Sequence, residues 1–155
     1  MTEVELSFDA STLTSFDEAL DNPLAYDAYD LEYYVRAFIV IRIGEQHLLP
    51  RDSDWPVLFL GRNIGYYLRS LDAHGSKLLD IPEGSFSLLF ERLGDQSRVT
   101  EVHEGPSGTA PHRELVKAAN AFEDDLRAEL LRRQPRFVDH PDLGKWFRTP
   151  INSPS

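Results

Sequence analysis

The chain has no cysteine among its 155 residues. That absence excludes disulfides, thiolate zinc sites and cysteine nucleophiles together. No apolar run approaches the roughly 20 residues that cross a bilayer. The opening MTEVELSFDA lacks the basic-then-apolar pattern of a secretion signal. A cytoplasmic protein without membrane contact is expected. There is no HExxH metal motif, no G-x-S-x-G elbow, no G-x-G-x-x-G fingerprint and no Gly-Lys-Ser/Thr phosphate loop. The first 35 residues also contain no lysine or arginine. They carry nine acids: Glu3, Glu5, Asp9, Asp17, Glu18, Asp21, Asp27, Asp30 and Glu32. The first cation is Arg36.

The net charge of −10 is therefore uneven: −9 in residues 1–35, −2 in 36–109 and +1 in 110–155. Direct nucleic-acid binding is not expected of such a chain, because phosphate neutralisation needs clustered Lys and Arg. A basic protein partner is the electrostatic complement. The five histidines form no metal-site spacing. His112 and Glu114 make an H-x-E, but the zinc deaminases that use it need cysteines downstream. Asp139-His140-Pro141-Asp142 has the residue types to hold a divalent ion, but it reads as a polar turn before a short helix, since turn residues cluster this way routinely. No cofactor, metal ligand or catalytic residue is assigned.

Periodicity supplies the elements. Val4, Leu6 and Phe8 alternate with polar residues, which predicts a strand. Ser15–Leu20 predicts a short helix with Ser15 and Glu18 as a capping box, ended by Asn22-Pro23. From Leu31, alternate residues through Ile43 form one apolar face, so a long strand is expected over 31–43, with Tyr33 in the core. Gly44-Glu45 predicts a turn and Gln46–Leu49 a short return strand. Ser53 or Asp54 is expected to cap a helix running to about Asp72, its Gly61 and Gly65 packed on the sheet. Residues 76–84 form a connection with a short extended piece. Residues 85–93 and 98–104 predict a hairpin, and 105–111 a linker. A long helix starts near Ala110, with Thr109 as its cap, and ends at Pro135. Asp142–Phe147 predicts one helical turn. The expected whole is an α+β fold, a mostly antiparallel sheet with two main helices packed on one face. Residues 1–148 would form the domain and 149–155 a flexible tail.

Four of the six tyrosines fall in AYDAYDLEYY, residues 25–34, among three acids. Tyrosine offers large, fairly rigid contact area with a polar tip, and is enriched where proteins meet. Interleaved carboxylates suit lysine or arginine on a partner. Tyr26, Asp27, Tyr29, Asp30, Glu32 and Tyr34 are therefore the candidate partner-binding residues.

VRAFIVIRIGEQHLLP, WPVLFLGRNIGYYLRSL, SFSLLFERLGDQSRVTEV and the helix ELVKAANAFEDDLRAEL follow one another over residues 31–133. This layout, with the acidic N-terminal third and the missing cysteines, resembles the small immunity proteins of bacterial polymorphic toxin systems. The resemblance implies a non-enzymatic inhibitor that covers the active site of a basic toxin, for instance a nuclease. Two other classes fit the sequence: a small hydrolase or transferase with a carboxylate/His site, and a homodimeric adaptor pairing through a sheet edge.

Overall fold

Alternating apolar side chains build the first of two sheets. The computed structural model describes residues 2–82 and 85–149. Strand β1 (Val4–Phe8) and the two-residue β2 (Thr14–Ser15) pair antiparallel with β3 (Val35–Ile43). Two further short strands, β4 (Gln46–His47) and β5 (Asp54–Trp55), also pair with β3. Val35, Ala37, Ile39, Ile41 and Ile43 are buried, as the period of two demands.

The strand begins four residues later than the alternation suggests. Residues 28–34 form helix α1 (Ala28–Tyr34) instead, because the Asp27 carboxylate accepts the Asp30 amide at 2.8 Å and caps it. Leu31 and Val35 are fully buried, and a spacing of four fits one face of a helix or of a strand, so the apolar pattern did not discriminate. Tyr33 is consequently half-buried at the lobe surface and not a core residue.

Helix α2 (Val57–Arg69) starts at Pro56. Ser53 and Asp54 do not cap it; Asp54 belongs to β5 and binds Arg36 at 3.0 Å. The second sheet is a meander of β6 (Ser76–Asp80), β7 (Ser87–Leu93), β8 (Gln96–Glu101) and β9 (Ser107–Pro111). The expected hairpin is β7–β8. The expected linker is β9, registered on β8 from Gln96↔Pro111 to Thr100↔Ser107. Because β9 occupies Thr109, helix α3 (His112–Arg133) begins after it, with no side-chain cap. A 3₁₀ turn, Pro135–Asp139, and the short helix α4 (Gly144–Phe147) follow. Residues 150–155, most of the expected tail, lie outside the described residues.

The chain is thus α+β, with two antiparallel sheets rather than one. Helices α2 and α3 pack on each other; α2 also meets β3 and β6, and α3 meets β1, β8 and β9. Gly61 faces α3 and not a sheet: a Cβ there would stand 2.3 Å from Leu126 Cδ2. The sheets join where Gly108 lies against Ile43 and where Trp55 meets Phe86 edge-on at 4.9 Å. Among the described residues, no helix is long and apolar enough to cross a membrane.

Candidate protein-contact surface

The turn that precedes α1 is unusual for its backbone. Asp17 (φ 52°) and Glu18 (φ 60°) are consecutive non-glycine residues in the left-handed region. Such residues are uncommon and conformationally costly. The reversal removes the expected capping box: Ser15 Oγ accepts from Leu20 N at 2.8 Å, and no regular helix forms. It also turns Phe16 outward, to 45 % exposure, onto the rings of α1.

Rings therefore form a ladder. Phe16 lies 6.0 Å from Tyr33 and 5.9 Å from Tyr34, and Tyr34 lies 5.8 Å from Tyr26. The Tyr26 hydroxyl donates to the Asp17 carbonyl, tying the turn to the ladder. Tyr29 projects from α1 at 79 % exposure, and Leu24 is 43 % exposed beside it in sequence.

The lobe is anchored by cations and histidine acting on backbone carbonyls. Arg136 and Gln134 donate to the Asp21 carbonyl, and Arg133 to those of Ala10 and Leu13. Buried His140 accepts the Asp142 and Leu143 amides on Nδ1, so Nε2 carries the proton and donates to the Tyr26 carbonyl at 2.7 Å. Both of its nitrogens are committed to backbone, which leaves none for a metal. Among the described residues, no group of three or more His, Asp or Glu side chains is placed to hold a metal ion.

The nine N-terminal acids separate into two sets. Glu3 and Glu5 reach Arg42 at 3.5 and 3.4 Å, Glu32 binds Arg62 at 2.8 Å, and Asp9 bonds Ser11. Asp17, Glu18, Asp21, Asp27 and Asp30 carry no ion pair among the described residues. The charges of three of these act on the Tyr34 hydroxyl. Asp30 above all, then burial, Asp17, Tyr26 and Asp27 push its pKa above the ordinary tyrosine value.

Of the six candidate residues, Tyr26, Asp27, Tyr29, Asp30 and Tyr34 share this lobe. Glu32 does not belong with them. Its side chain is 18 % exposed and points toward α2, to Arg62 and Asn63. Burial raises its pKa, and Arg62 pulls it partly back. Phe16 and Asp17 join the surface without having been singled out in the sequence. The one available signal was that Asp17 and Glu18 lie in the same cation-free run as Asp27 and Asp30.

Two hydroxyl–imidazole contacts lie elsewhere in the molecule. Ser87 Oγ donates to Asp80 Oδ1 at 2.5 Å and stands 3.4 Å from His103 Nε2, so its proton is directed to the carboxylate. Ser97 lies 2.8 Å from His112 Nδ1, and Ser97 is fully buried. Burial, aided by Arg92, holds the His112 pKa below its ordinary value. Glu101, also fully buried, accepts the amides of Ser87, His103 and Glu104 and closes the β8–β9 turn.

Compared with protein-family models, with curated proteins and with solved structures, the chain matches none of them.

Proposed function

We propose that this protein is a non-enzymatic binding module, an immunity-type inhibitor that covers the active site of a basic toxin domain. One observation carries the reading. The ring ladder of Phe16, Tyr34 and Tyr26 shares a surface with Asp17, Asp27 and Asp30, which have no ion pair among the described residues. Apolar rings supply contact area at an interface centre, and unpaired carboxylates attract and orient a cationic partner. The strained turn at Asp17-Glu18 supports the same reading, since such backbone persists where the surrounding structure holds it, often at functional sites.

The test is co-purification with the product of the adjacent gene, followed by association kinetics across salt concentrations. Asp30→Lys combined with Asp17→Asn should slow association and flatten its salt dependence. Unchanged kinetics and salt response would remove the lobe from the interface. Glu32 is kept native in this test because it is bound to Arg62.

A further inference from the structure

Four ring clusters in this molecule invite comparison, and three already hold a cation. The Arg36 guanidinium sits 5.2 Å from the Phe16 centroid and 5.3 Å from that of Tyr33. Lys77 Nζ stands 5.8 Å from Tyr66 and 5.9 Å from Tyr67. Trp146 lies between Arg127 at 5.1 Å and Arg62 at 5.9 Å. The fourth cluster, Tyr26 with Tyr34, has no cation over either ring among the described residues.

We infer that the Tyr26–Tyr34 pair, with Asp17 and Asp30, receives an arginine side chain of the partner. The inference rests on the binding-module reading and gives its contact a chemistry. Arg36 supplies the internal precedent on the same ladder. Its guanidinium lies on two rings, pairs with the Asp54 carboxylate at 3.0 Å and donates to the Tyr33 carbonyl at 3.0 Å. Phe16 belongs to that cluster and also touches Tyr34, so the outer site is the next place along one continuous stack. Asp30 lies one helical turn before Tyr34 on α1, the Asp17 carbonyl accepts the Tyr26 hydroxyl, and the field of both carboxylates raises the Tyr34 pKa. Arginine fits better than lysine because its planar, weakly hydrated guanidinium stacks on a ring while forking to carboxylates.

The probes are hexa-arginine and hexa-lysine peptides, titrated into protein carrying labelled tyrosine rings and followed by NMR at low salt. Hexa-arginine is expected to bind at least about twofold more tightly than hexa-lysine, because lysine can also meet the rings while only the planar guanidinium stacks and forks to the carboxylates at once. The Tyr26 and Tyr34 ring signals should move, and those of Tyr66 and Tyr67 should stay. Tyr34→Leu should abolish the preference for arginine and leave hexa-lysine affinity in place. Asp30→Asn, which leaves the ring stack intact, should weaken both peptides. Equal affinity for the two peptides, or movement of Tyr66 and Tyr67 instead, overturns the arginine inference while the acidic surface stands. Failure of both peptides to bind at low salt overturns the acidic-surface reading itself.

Discussion

Two regions of this molecule are rich in acids and aromatic rings, and they treat them oppositely. At the junction of α2, α3 and α4, Glu123 is 4 % exposed and is met from three sides. Trp146 Nε1 donates to it at 2.7 Å, Arg69 at 3.2 Å and Arg127 at 3.5 Å. Arg127 in turn pairs with Asp124 at 2.6 Å. In the lobe of residues 16–34, Phe16 and Tyr29 are exposed, Tyr26, Tyr33 and Tyr34 are half-buried, and five carboxylates lack an ion pair among the described residues. The same side-chain types thus hold helices together in one place and stand open in another. Burial decides which: a buried carboxylate must be paired, whereas an exposed one is solvated at little cost.

Removing a partner from the buried network should give the largest effect. Glu123→Ala leaves Arg127 buried with only part of its pairing, and the expected loss is about 3 kcal/mol of stability, read by urea unfolding. A loss below that expected at an exposed site would mean the network is not closed. Next comes the joint between the sheets. In Gly108→Ala the new methyl would meet Ile43 Cβ at 2.5 Å, which should cost about 2 kcal/mol.

Within the lobe, stability and recognition can be separated at one residue. Asp27→Ala removes the α1 cap and should cost about 1 kcal/mol, whereas Asp27→Asn keeps the cap and loses only the charge. If the lobe is a contact surface, Asp27→Asn folds like the native protein but binds its basic partner more weakly. Equal binding by both proteins would assign Asp27 to the fold alone. The smallest effect is spectroscopic. Neighbouring carboxylates favour the neutral phenol of Tyr34, so it should lose its proton at higher pH than an ordinary tyrosine. Asp30→Asn should bring that midpoint down in an alkaline absorbance titration, since Asp30 is the largest cause of the shift.

The regular elements were largely legible. Leu115, Ala119, Phe122, Leu126 and Leu130 were expected on one stripe, and all five are buried on α3. Val4, Leu6 and Phe8 form β1, and the hairpin lies where its turn residues placed it. The misreadings share a cause. Helix α1 is seven residues long and its apolar spacing also fits a strand, so the Asp27 cap decided the outcome. Strands β5 and β9 have too few apolar residues to announce themselves, and exist because β3 and β8 offer backbone partners. The lobe was legible as a place in the chain, residues 26–34, but not as a surface. Phe16 reaches it through a reversal at Asp17-Glu18 that no propensity predicts, and Glu32 leaves it because Arg62 lies on the facing helix.

The sequence by itself determined the charge asymmetry, the lack of thiol chemistry and the periods of β1, β3 and α3, because these are properties of composition or of near neighbours along the chain. Only the tertiary structure decided which acids are neutralised. Glu32 meets a cation 30 residues away and Glu3 one 39 residues away. Coulomb attraction acts through distance in space, and the fold alone brings those charges within reach while leaving Asp17, Asp27 and Asp30 without an ion pair among the described residues.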